Sequence, residues 1–193
     1  MVRTPRLPVV APTFTYAEVE DALAKVYDAT DVQKTTFRGR LKHFRKLGIP
    51  SQQPGKGSRI SYTASDVFQL MIACEFAEFG LDPRLITKIT RRHWGLKGSL
   101  VDSIDYSQKF PGDDFYVAIE AHIMSWDWNR RKSKRTATEI SESVIGEPVR
   151  IQIFKAIDSK KFLDEVKAGR RFFVFNLSRR VRNVEQALKP GAN

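Results

Sequence analysis

Apolar residues recur along the first ninety positions at helical spacing. Val19, Leu23, Val26 and Tyr27 line one face of a helix from about Tyr16 to Tyr27. Thr15 and Glu18 have the spacing of a capping box, in which hydroxyl and carboxylate satisfy each other's free backbone donors. Asp28 to Asp31 is polar and breaks the pattern, and Asp31 is placed to cap a second helix over about Val32 to Leu47. At about 100° per residue, Phe37, Leu41 and Phe44 of this helix fall within an arc of roughly 60°. Arg45, Arg38, Lys42, Thr35 and Lys46 follow around the wheel at roughly 80° to 180°. Gly39 comes next, where a missing side chain allows close approach. Gly48 suits the position after the helix end, and Pro50 prevents continuation.

The pattern then changes. Ser51 to Ser58 contains Pro54, Gly55 and Gly57, and Arg59 to Tyr62 alternates polar and apolar; together they predict a small hairpin with Lys56 and Arg59 near its tip. Thr63 or Ser65 caps a third helix carrying Val67, Phe68, Leu70, Met71, Cys74, Phe76 and Phe79, which Gly80 ends. Asp82 and Pro83 open a fourth, with Leu85, Ile86 and Ile89 on one face. Gly95 to Gly112 reads as looser. Strands are expected over Phe115–Met124, Glu147–Ile153 and Phe172–Leu177. A helix lies between the last two, and a final helix capped by Ser178 runs to Leu188.

Charge sharpens this outline. Of 193 residues, 33 are Lys or Arg and 22 Asp or Glu, a net charge of +11 that favours polyanionic partners. Residues 31–60 hold eight basic side chains against one acidic, so one segment carries most of the excess. A charge run is ordinarily a solvated face, but here it coincides with one face of one helix. Arg130 to Arg135, beside Trp126 and Trp128, is better read as a solvated loop than as a second nucleic-acid contact. Arg91-Arg92-His93 suits the end of the fourth helix.

The order of elements resembles the MerR-type winged helix-turn-helix. The resemblance is carried by Tyr16-Ala-Glu-Val19, Thr36-Phe-Arg38, Lys46-Leu-Gly-Ile-Pro50, Gly57-Ser-Arg59 and Tyr62-Thr-Ala-Ser-Asp-Val67, with Phe79-Gly-Leu81 and Ile86 as the next helix junction. It covers about residues 14–93. The second helix and the connection before it are longer than in that family, and no long heptad helix follows residue 93. The family's promoter-twisting activation is therefore not carried over.

The expected fold is α+β, mainly helical. Residues 1–13 form a flexible arm, 14–95 a MerR-like winged helix-turn-helix, 96–112 a linker, and 113–193 a small C-terminal α+β domain for dimerisation or sensing. The expected function is sequence-specific binding of double-stranded DNA as a bacterial or phage transcription regulator. A DNA-architectural role, as in an excisionase or a packaging recognition subunit, is the alternative. Arg, Lys and hydroxyl side chains read base edges and phosphates in the major groove. The expected DNA contacts are Tyr16, Lys34, Thr35, Thr36, Arg38, Gly39, Lys42, Arg45, Lys46, Lys56 and Arg59. A homodimer on a two-fold site is the economical arrangement, with the Phe172–Phe175 strand and the last helix either its interface or plain core. RNA polymerase is a further candidate partner.

No catalytic activity, metal or cofactor is expected. His43, His93 and His122 lack ligand spacing, and Gly55-Lys56-Gly57-Ser58 lacks the first glycine of a phosphate loop. The single cysteine, Cys74, lies on an apolar face and is read as inert. No apolar run approaches the roughly 20 residues of a membrane helix. The start of the chain is not read as a signal peptide, and a cytoplasmic, nucleoid-associated location is expected.

Overall fold

The computed structural model describes residues 12–51, 61–94, 100–120, 151–155, 159–167 and 172–189. The expected hairpin tip with Lys56 and Arg59, the Arg130–Arg135 cluster and most of the N-terminal arm lie outside the described residues.

The N-terminal part is built from β1 (Thr13–Phe14), α1 (Tyr16–Val26), α2 (Asp31–Lys46), β2 (Tyr62–Thr63), α3 (Ala64–Glu78) and α4 (Pro83–Trp94). β1 pairs antiparallel with β2, Thr13 opposite Thr63 and Phe14 opposite Tyr62, so the end of the expected arm is already strand. This pairing sets the starts of α1 and α3 side by side. Each start carries a capping box: Thr15 with Glu18, and Thr63 with Asp66. At α2 the cap is Thr30 rather than the expected Asp31. Thr30 has extended backbone, and its N–H donates to Gln33 Oε1 at 3.1 Å, while Asp31 sits inside the first turn.

α1, α2 and α3 end alike. In each, the residue after the C-cap is left-handed and the next two backbone donors turn back onto the last-turn carbonyls. At α1, Asp28 (φ 49) holds that position, and Ala29 N donates to Ala24 O at 2.9 Å. At α2, Gly48 (φ 85) does so, and Ile49 N donates to Phe44 O at 3.0 Å. At α3 it is Gly80 (φ 76). The apolar residue after each glycine, Ile49 and Leu81, is buried and locks the turn to the core.

Gly48 has a second reason to be glycine. Arg91 of α4 lies over it, donating from Nη2 to Leu47 O at 3.1 Å and Gly48 O at 3.2 Å. A Cβ at Gly48 would come within 2.0 Å of that nitrogen, whereas a Cβ at Gly80 meets nothing within 4 Å. Gly80→Ala is expected to cost about 1 kcal/mol of backbone strain. Gly48→Ala is expected to cost about 2–3 kcal/mol, because Arg91 must also leave two carbonyls at the end of α2. Paired denaturant melts check the difference; equal losses would show that Arg91 contributes nothing.

The remainder comprises α5 (Leu100–Lys109), β3 (Phe115–Glu120), β4 (Ile151–Lys155), α6 (Ser159–Lys167), β5 (Phe172–Asn176) and α7 (Leu177–Leu188). The three strands form an antiparallel sheet in the order β4-β3-β5, with Val117 opposite Ile153 and Phe175. The stretch read as loose contains α5, which buries Leu100, Ser103, Ile104 and Ser107. α7 starts one residue before Ser178. Asn176 is its cap, with Oδ1 accepting from Arg179 N at 2.8 Å. Ser178 is instead fully buried. Its Oγ lies 2.8 Å from Ser107 Oγ and accepts from Phe115 N at 2.9 Å, joining α7, α5 and β3.

One apolar cluster runs through all of this, from Val19 and Leu23 of α1 through α3 to Val117, Ile119, Phe175 and Val184. The expected boundary at 96–112 therefore does not separate two cores. The last helix is core, with Leu177, Val181 and Val184 buried. In β5, Phe175 is buried while Phe173 and Val174 are part-exposed. The protein is mainly helical α+β with small antiparallel sheets. Among the described residues no helix is long and apolar enough to cross a membrane.

Candidate nucleic-acid interface

α2 is helical throughout, and its expected apolar stripe is its buried face: Phe37, Leu41 and Phe44. Lys34, Thr35, Thr36, Arg38, Gly39, Lys42 and Lys46 are exposed, and Arg45 is half-buried. At Gly39 an added Cβ would meet nothing within 4 Å, so the backbone is open there.

The cations of α2 are not equivalent. Lys34 pairs with Asp31 one turn earlier, at 2.9 Å, and this contact holds the Asp31 carboxyl below the usual carboxylate range. Arg40 is tied to Glu78 of α3. Arg38 donates from Nε to Glu20 Oε1 of α1 at 2.6 Å, with the Glu20 side chain 8% exposed and the Arg38 side chain 57%. Among the described residues, Lys42 and Lys46 form no ion pair. The face thus combines a guanidinium anchored by a buried acid, Arg38, with the exposed ammonium groups of Lys42 and Lys46.

Tyr16 sits differently from the expected phosphate contact. Its hydroxyl oxygen is buried and, among the described residues, has no hydrogen-bond partner, and its ring lies 6.3 Å from that of Tyr62. Burial pushes the Tyr16 phenol up. The Arg45 guanidinium lies 5.3 Å from the centroid of the half-buried Tyr16 ring, so Tyr16 supports Arg45 through its ring while its hydroxyl is turned inside. Lys56 and Arg59 lie outside the described residues.

Three partners of this face were not picked out from the sequence: Glu20, Glu78 and Arg91. Glu20 did carry a signal. It shares a helical row with Leu23, Ala24 and Tyr27, and an acid among core residues needs a cation. Glu78 and Arg91 stand on ordinary helix ends and offered none.

Among the described residues no group of His, Cys, Asp or Glu could hold a metal ion. Cys74 is fully buried, and burial pushes its thiol up to about 12, so the reactive thiolate form is suppressed at neutral pH. A cavity of about 650 Å³ lies between the end of α1 and α7, and no residue of α2 lines it.

The chain matches no protein-family model and no curated protein sequence.

Proposed function

We propose that residues 14–94 act as a winged helix-turn-helix that binds double-stranded DNA sequence-specifically, with α2 in the major groove, and that the protein is a transcription regulator rather than an enzyme. The observation that carries this reading is the division of α2. One stripe is buried, and the opposite face offers Thr35, Arg38, Lys42 and Lys46 to solvent around an open glycine. A helix of this build fits a groove whose base edges are read by guanidinium, ammonium and hydroxyl groups. The tight α1–α2 turn and the β1–β2 pairing support the same reading, since the turn sets α2 beside α1, the pairing sets α1 beside α3, and the buried stripe of α2 packs inward and leaves Lys42 and Lys46 exposed.

One such unit reads few base pairs, so two copies on a two-fold site complete the reading. The part-exposed Phe173 and Val174 on the edge strand β5 are the better candidates for self-association, α7 being core.

Phosphate contacts by Lys42, Arg45 and Lys46 set a floor on the salt response. Three contacts give a slope of about −2.7 in log affinity against log salt, a loss of about 40-fold from 50 to 200 mM. Fluorescence anisotropy of a labelled duplex measures this, and light scattering of the complex is expected to find two chains per duplex. An affinity indifferent to salt would overturn the DNA reading; one chain per duplex would remove the dimer.

A further inference from the structure

We infer that Glu20 positions Arg38 as a guanine reader; the inference rests on the DNA-binding reading and names what that site recognises. A guanidinium has five N–H donors in a fixed planar fork. Glu20 takes the Nε donor at 2.6 Å. Among the described residues no hydrogen bond occupies the two Nη atoms, and more than half of the side chain is exposed. The anchor is firm because Glu20 is itself buried among the core residues of α1. The result is a fork held at its base, with the two Nη groups left open on a side chain more than half exposed. That is the arrangement that meets O6 and N7 of guanine in the major groove.

Phosphate is the other acceptor such a fork could meet. The rest of the face argues for the base. Phosphates are satisfied by point charges on flexible stems, and Lys42 and Lys46 are of that kind. Holding a long side chain in one orientation before binding matters most where the partner's geometry is exacting. Arg38 is held in that way by a buried acid, and Gly39 beside it leaves the backbone open for close approach. Glu20 touches no DNA here. It is a positioning residue acting through Arg38.

The test uses the full-length protein and a duplex enriched from a randomised pool, with a scrambled duplex for comparison. Replacing guanines one at a time by 7-deazaguanine removes only the N7 acceptor. At one position per half-site this is expected to weaken the wild type about fivefold or more and to leave Arg38→Ala unaffected. Glu20→Ala and Glu20→Gln lose the same charge, but only Gln keeps an oxygen to accept from Nε. Glu20→Ala is expected to lose discrimination between the two duplexes to the level of Arg38→Ala. Glu20→Gln is expected to keep most of it. Circular dichroism confirms that each variant is folded before binding is compared.

Wild-type discrimination in a folded Glu20→Ala protein would overturn the positioning role. Absence of any guanine felt by the wild type and not by Arg38→Ala would overturn the guanine assignment and leave phosphate as the acceptor. A wild type that binds duplexes without salt dependence would overturn the DNA reading itself, and this inference with it.

Discussion

Phe44→Ala is expected to lower the free energy of unfolding by about 3–5 kcal/mol, the cost of removing a buried aromatic ring and leaving a cavity. Phe44 is 1% exposed and belongs to the stripe that fixes α2 to α1 and α3. Two residues upstream, Lys42 projects into solvent. Lys42→Ala and Lys46→Ala should change stability by no more than about 0.5 kcal/mol. Urea unfolding with an unchanged slope would give the comparison directly. The two faces of one helix are thereby separated: one class of variant is expected to lose fold, the other only the proposed affinity for DNA. A Phe44→Ala protein as stable as the wild type would mean that α2 is not anchored by its stripe. The case for a rigid outer face would then fail as well.

The stripe and the outer face were both legible in the sequence, because periodicity reports which side of a helix is apolar and glycine reports where a helix turns left-handed. Phe37, Leu41 and Phe44 could be placed inward and Gly48 and Gly80 at helix ends from spacing alone. What spacing does not report is the partner of an outward cation. Whether Arg38 stands free or is held depends on where α1 lies, and α1 packs through contacts eighteen residues distant in the chain, Arg38 to Glu20. The same limit explains Tyr16. Its place at the start of a helix suggested a phosphate contact, but its ring is claimed by Tyr62, brought alongside by the β1–β2 pairing.

The C-terminal half was less legible for a different reason. α5 has few large apolar side chains and buries two serines, so its sequence reads as polar and loose although one face is inside. Ser107 and Ser178 are satisfied by each other and by the Phe115 amide, a long-range arrangement that no local pattern announces. α7 was correctly spaced for burial but could not be assigned a partner. Its partner is α1, at the other end of the chain, which merges the two expected domains into one core.

That merger is held by a buried ion pair, and Arg180→Ala should be the surface-accessible substitution with the greatest cost. Glu75 of α3 has a side chain 4% exposed, and Arg180 Nε of α7 lies 2.6 Å from its Oε1. The approach is close, but among the described residues Oε1 accepts no aligned hydrogen bond, so attraction between charges holds the pair. Arg180 also donates to Val26 O at 3.2 Å and lies over the Tyr27 ring at 5.2 Å, tying α7 to the end of α1. Removing the guanidinium strands a carboxylate inside the core. The expected loss is about 3 kcal/mol, at the lower end for a broken buried pair because Arg180 is one-third exposed. In a chain of this size that lowers the melting temperature by roughly 6–12 °C. The loss should depend on pH in a defined direction. Burial pushes the Glu75 carboxyl above its ordinary 4.5, while Arg180 pulls it back. A raised folded value means that the folded state binds the proton more tightly, so this group's contribution is fully present below about pH 4.5 and is lost as pH rises through the folded value. Without Arg180 the folded value rises further, and the loss extends to higher pH. The difference between variant and wild type is therefore largest at neutral pH and shrinks toward pH 4.5, with other titrations cancelling in the comparison. Adding Glu75→Gln to Arg180→Ala should recover part of the stability at pH 7, because the stranded charge is gone. A pH-independent difference, or a double variant no more stable than Arg180→Ala alone, would show that the ion pair is not what joins α7 to the N-terminal helices.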